Sequence, residues 1–139
     1  MTYALSEPLQ RAVYEALSGD ADLSALIGSD IFDAPLPQDF KSAPTDYILL
    51  GSEVVRDRSS KTSDGAVHDL TVGIYSNAEG FMQSKKIAAA VCDALLDATL
   101  PLSRGSVICL RFLKARADAG APPNRRRITL TFRAFVEDS

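Results

Sequence analysis

The chain has 139 residues, of which 46% are hydrophobic and 24% charged, and its formal net charge is −3. These totals fit one folded domain spanning residues 1–139 and exclude a disordered chain. The acidic balance argues against a dedicated DNA binder. No apolar run approaches the roughly 20 residues of a membrane span. "MTYALSEPLQ" lacks a basic stretch followed by an apolar one, so a cytoplasmic site of synthesis and folding, with no membrane partner, is expected.

The first predicted element is a helix over residues 7–17, with Ser6 as its cap and Pro8 in the first turn, where a missing N–H costs nothing. Leu9, Val13, Ala16 and Leu17 fall on its apolar face. Gly19 ends it, and Asp20 caps a shorter helix, "ADLSALIG", that stops at Gly28. Ile31 and Phe32 read as a brief extended contact. "APLPQDFKSAPT" holds three prolines, which rules out a central strand and predicts a connector.

"DYILLGSEVVR" then begins a strand, apolar on both faces over residues 47–50, as an interior position requires. Residues 57–66 form a polar stretch ending in Asp64-Gly65, read as an arm between antiparallel strands. "VHDLTVGIYS" is the next strand, with Leu70, Val72 and Ile74 on one face and His68 on the same parity, placed at the strand end near the edge of the core. Ser76 and Glu79 have capping-box spacing and open the longest helix, residues 79–98, whose stripe is Ile87, Val91, Ala94, Leu95 and Ala98.

After Pro101 and Gly105, "SVICLRFLKAR" is a third strand with Ile108, Leu110 and Phe112 on one face. Residues 117–124 make a second polar arm. The last strand alternates: Ile128, Leu130, Phe132, Ala134 and Val136 on one side; Arg125, Arg127, Thr129, Thr131, Arg133 and Phe135 on the other. Arg126 takes the apolar parity, at the rim of the core. The order α-α-β-β-α-β-β predicts an α+β fold: a four-stranded, mostly antiparallel sheet with helices on one face and polar hairpin arms. The other face, part polar and part apolar, suits contact with another subunit.

The sequence carries no recognisable chemistry. A single histidine, no G-x-S-x-G turn, no phosphate-binding glycine motif and no calcium-loop spacing leave no catalytic, metal or cofactor residues to name. Cys92 and Cys109 are read as buried free thiols. Charge is divided along the chain. Glu7, Asp20, Asp22, Asp30, Asp33, Asp39, Asp46 and Glu53 lie in the first part; Arg104, Arg111, Lys114, Arg116, Arg125, Arg126, Arg127 and Arg133 lie in the last third. Two solvated surfaces would account for this, and so would a subunit whose acidic side meets the basic side of its neighbour.

The series "DADLSALIGSDIFDAPLP", "PTDYILLGSE", "HDLTVGIYSNAEGFMQSKKIAAAVCDALL" and "RRRITLTFRAFVE" resembles the tail-completion or tail-terminator family of long-tailed phages and gene transfer agents, over nearly the whole chain. The second segment departs from the family's P-Y-I-x-x-G pattern, because Thr45 and Asp46 separate Pro44 from Tyr47. The resemblance implies a structural virion protein with no reaction and no cofactor. It implies a homo-oligomer, a hexameric ring at the head-proximal end of the tail tube. Such a ring stops tube polymerisation, docks the head connector or stopper, and lets DNA pass through its lumen without sequence-specific binding. The expected site is the tail neck of a particle assembled in the bacterial cytoplasm.

Charges on the arms and on the outward strand face are the candidate subunit or partner contacts: Arg56, Asp57, Arg58, Lys61, Arg116, Arg125, Arg127 and Arg133. Three other readings compete: a head–tail connector or adaptor of the same particle, a nucleic-acid-binding module using the arginines, and a small enzyme with a dispersed site. The second has no tryptophan and no aromatic pair interleaved with its arginines.

Overall fold

Apolar residues at every second position from Ile128 to Val136 demand a strand with one buried face. In the computed structural model all five are buried, none more than 3% exposed. The structure describes residues 3–33, 46–77, 80–96, 99–119 and 126–138. The proline connector 34–45, Asp39, Glu79 of the capping box, Ala98, Arg125 and the outer part of the second arm lie outside the described residues.

The elements in chain order are helices α1 (Ser6–Ser18) and α2 (Ala21–Ile27), strands β1 (Ile31–Phe32), β2 (Asp46–Asp57) and β3 (Asp64–Ser76), helix α3 (Met82–Leu96), and strands β4 (Ser106–Ala119) and β5 (Arg126–Asp138). The α+β class and the helical layer are as the sequence predicts; the sheet differs. Among the described residues it has five strands, ordered β1-β2-β3-β5-β4, not four. The additional strand is the Ile31–Phe32 contact, which pairs in parallel with Ile48 and Leu49; every other pair is antiparallel. The sheet is therefore mixed.

Local signals place the helices. Asp20 caps α2 by accepting the Leu23 N–H at 2.9 Å, and Gly28 terminates it at φ 64°, a conformation that favours glycine. Ser6 does not cap α1. Leu5 is the N-cap residue and makes no side-chain cap bond; the Ser6 hydroxyl donates instead to the Glu53 carboxylate on β2. Leu9, Val13 and Leu17 of α1, Leu23 and Ile27 of α2, and Ile87, Val91 and Leu95 of α3 join Ile48, Val72, Ile74, Leu130 and Phe132 in one core.

Two corrections concern the strands. Residues 57–66 are shorter as an arm than expected, because β2 runs to Asp57 and β3 starts at Asp64. His68 is consequently mid-strand and fully buried, not at a strand end. On β4 the predicted apolar face breaks at Ile108. The register shift between Val107 and Cys109 extrudes Ile108, which is 61% exposed, and Val107 takes its place opposite Val136; a second shift, between Phe112 and Lys114, leaves Leu113 out of register.

Gly105 leads into β4 at φ +73°, and a Cβ there would stand 2.6 Å from the Glu137 carbonyl and 3.0 Å from Leu5. No side chain fits this approach without displacing backbone.

Candidate functional site

Among the described residues, the helices cover one face of the sheet and leave the other open. Strand alternation decides what the open face carries. Near β1 it is aromatic: Tyr47 stacks on Tyr75 with ring centroids 5.0 Å apart, and Phe32 meets Tyr47 edge-on at 5.9 Å. Further along it is charged. Arg133 of β5 makes two hydrogen bonds to the facing Asp69 of β3, at 2.7 and 3.0 Å, and Arg56 of β2 reaches the same carboxylate at 3.3 Å. Arg127 of β5 makes a second bidentate pair, to Asp118 of β4 at 3.0 and 3.1 Å, and Arg116 approaches that carboxylate at 3.3 Å. The guanidiniums of Arg58 and Arg111 lie over the Phe135 ring, 4.8 and 5.5 Å from its centroid, in cation–π range.

These contacts set the local electrostatics. The hydrogen bonds from Arg133 hold the Asp69 carboxyl below its ordinary value, and those from Arg127 do the same for Asp118. Each carboxylate therefore stays ionised across the neutral range and ties two strands together. Asp57 is also lowered, first by the Ser59 hydroxyl, which donates to it at 2.7 Å. Ser59 contacts Asp64 and the Gly65 carbonyl as well, so the base of the β2–β3 hairpin is internally bonded.

The candidate residues do not form one patch. Arg56, Asp57, Arg58 and Lys61 lie at the β2–β3 hairpin, the end of the sheet where Asp64 pairs with Asp138. Arg116 and Arg127 lie toward the opposite end, where Ser76 and Ala119 flank Arg126. Arg133 stands between them. The β2–β3 hairpin and the Ala119–Arg126 end of the β4–β5 ladder therefore stand at opposite ends of the sheet. Sequence reasoning missed Asp69 and Asp118, and it named Arg111 and Phe135 without joining them to each other. Each contact becomes visible only once the register of β3, β5 and β4 is known, since Asp69 and Arg133 are 64 positions apart.

The covered face holds one histidine. His68 Nδ1 lies 3.7 Å from the Glu53 carboxylate, and neither ring nitrogen has a hydrogen-bond partner among the described residues. Burial pushes its pKa below the ordinary value, with Glu53 pulling the other way. Glu53 also accepts from Tyr3 and Ser6, which fastens the start of α1 to β2. Cys92 and Cys109 are free and partly buried, and burial raises the Cys92 thiol. Among the described residues, no three His, Cys, Asp or Glu side chains gather as metal ligands would, and no helix is long and apolar enough to cross a membrane.

Known proteins match this arrangement. The family model described as "Tail completion protein gp17" matches residues 11–137. Among solved structures, a chain in the virion of a native gene transfer agent (GTA) particle superposes with a TM-score of 0.87 at 46% sequence identity. That match covers 98% of this chain and 99% of the other. No curated protein matches.

Proposed function

This chain belongs to the tail completion protein gp17 family, and from that premise we propose that it is the tail terminator of a phage or gene transfer agent particle. It is a structural, non-enzymatic protein of such a particle. In this reading it forms a ring, hexameric in the simplest case, on the head-proximal end of the tail tube. The ring stops tube polymerisation and presents the docking surface for the head connector, and DNA passes through its lumen without sequence-specific contacts.

The observation that carries the reading is the near end-to-end match to a GTA virion chain at 46% identity. The fold supports it, because the β2–β3 hairpin and the Ala119–Arg126 end of the β4–β5 ladder stand at opposite ends of one sheet. A piece that joins tube to connector needs two such ends. We assign contact with the tube or with neighbouring subunits to Arg56, Asp57, Arg58 and Lys61 at one end, to Arg116 and Arg127 at the other, to Arg133 between them, and to Arg125, which lies outside the described residues. Arg127 and Arg133 already hold Asp118 and Asp69, so replacing either disturbs the sheet as well as any partner. The exposed hairpin gives the cleaner test: Arg58→Glu with Lys61→Glu should leave the fold intact and reduce capping.

The decisive experiment removes the protein from the particle and measures the tails by electron microscopy. Overlong tubes are expected. Tails of normal length beside unjoined or leaking heads would instead identify a connector or adaptor.

A further inference from the structure

The two sides of the molecule differ in charge. Register puts Arg111, Lys114 and Arg116 of β4 on the open face, opposite Arg133, Thr131 and Thr129 of β5. Over residues 109–118 and 127–135 these strands carry five cations, the three on β4 with Arg127 and Arg133, against one carboxylate, Asp118. Asp118 and the neighbouring Asp69 are already held by Arg127 and Arg133. Arg116 stays 82% exposed. Arg111 and Lys114 are exposed and make no ion pair among the described residues. This half of the open face therefore carries positive charge that its own strands do not neutralise.

The opposite sign gathers on the other side. Leu9, Val13 and Leu17 turn α1 inward to the core, so the exposed Glu7, Arg11, Tyr14 and Glu15 point away from the sheet. Residues 3–33 hold six carboxylates (Glu7, Glu15, Asp20, Asp22, Asp30 and Asp33) and one cation, Arg11, which is tied to Glu7. Asp22 is exposed at the start of α2. Tyr14, among the α1 acids, is 42% exposed and offers a ring on which an arginine can lie. Helix α3 does not share this charge, since Lys85 and Lys86 are exposed near its start. Ser6 and Glu53 fasten α1 to β2, so the acidic ground lies toward the β1–β2 edge and the cations toward the β4 edge.

We propose that copies of this chain stack face to back, the basic β4–β5 half of one open sheet face lying on the acidic outer side of α1 and α2 in the next. The charged side chains point at each other in this arrangement, because one set leaves the open face and the other leaves the back of the helical layer. A second copy is the occupant because the chain supplies both signs, one on each side of its sheet. Nucleic acid would also meet the cations, but a chain of net charge −3 with an acidic back repels it on approach. Unlike surfaces on opposite sides of one subunit give a heterologous contact, which repeats and closes into a ring when the rotation allows. The inference rests on the ring reading above and names the surfaces that meet in it.

Purified particles are treated with a zero-length carbodiimide cross-linker, and linked peptides are identified by mass spectrometry. A link from Lys114 to Glu7, Glu15 or Asp22 is expected. Within one copy Lys114 and these acids lie on opposite sides of the sheet. Strand β4 also stands three strand spacings of about 4.8 Å from β2, roughly 14 Å, so the link forms only between copies. In parallel, Lys114→Glu with Arg116→Glu, and separately Glu7→Lys with Glu15→Lys, should each lower incorporation into particles by about tenfold or more, because like charges then face each other. Combining all four should restore it. Thermal melts report whether each variant is folded; where a pair fails to fold, the link in wild-type particles decides alone. Wild-type incorporation by both pairs of variants, with no Lys114 link, would overturn the face assignment and leave the terminator reading standing. Salt-dependent binding of a short DNA duplex, lost in Lys114→Glu with Arg116→Glu and unaccompanied by a Lys114 link, would make nucleic acid the occupant instead. Tails of normal length in particles lacking the protein would overturn the terminator reading on its own evidence.

Discussion

Strand β5 shows how differently the two faces of this sheet are held. On the covered side Phe132 is fully buried and meets Phe112 edge-on at 6.0 Å. One residue later, Arg133 lies on the open side and grips Asp69 across the ladder. The first contact draws on removal of apolar surface from water, which ions do not screen and which carries no titrating group. The second is a pair of partly exposed charges, which contributes little to stability and is screened by ions. One strand thus carries a face that keeps the fold together and a face whose charges fix register and remain available to solvent.

The largest expected effect tests the covered side. Phe132→Ala removes a ring from a closed core and should cost about 3–5 kcal/mol, read from denaturant unfolding. A cost below about 1 kcal/mol would mean that the core closes without it. The adjacent substitution sharpens the contrast. A double-mutant cycle on Arg133→Ala and Asp69→Ala should return a coupling of about 0.5–1 kcal/mol that shrinks as salt is raised. Because the Asp69 carboxyl is lowered by Arg133, its contribution is fully present above the ordinary value of 3.8 and is lost as pH falls through the depressed folded value. A salt-independent coupling would make the open face a second core.

The smallest effect concerns the exception on the covered side, His68. Its folded pKa is depressed, so the unfolded chain binds the proton more readily. Stability is full above the ordinary value of 6.5 and declines as pH falls toward the folded value. His68→Leu should leave stability near pH 8 within about 1 kcal/mol of wild type and abolish this mildly acidic decline, since both nitrogens lack hydrogen bonds to lose. Thermal melts across the mildly acidic range give the answer.

What the sequence disclosed follows the range of the interaction. Asp20 and Leu23 are three positions apart, and the cap was legible. The period-2 pattern of β5 named its buried face residue by residue. Strand β1 was legible only as an extended contact, because two residues carry no period and its partner Ile48 lies well along the chain. The face of β4 failed at Ile108, since alternation presumes an unbroken ladder and a bulge moves one residue off parity. His68 looks like a rim residue in the sequence because the apolar alternation begins only at Val67, whereas β3 starts at Asp64. The open face was legible as polar, but Asp69 and Asp118 were not legible as the partners of its arginines. That knowledge requires the register between strands, which no single strand contains.

The bulge-free ladder between β3 and β5 has a consequence for how the chain reaches this state. Its partners range from Ser76 with Arg126 to Asp64 with Asp138, separations of 50 and 74 positions (126 − 76 and 138 − 64). The β2–β3 and β4–β5 pairs, by contrast, close over short connections. Two hairpins are therefore expected to form early, and the central ladder to zip them together later, across α3, because distant ends lose more entropy on meeting. Until then the inner edges of both hairpins are as bare as the outer ones. φ-values near zero at Thr71 and Thr131, with higher values at the hairpin ends, would be the kinetic signature of that order.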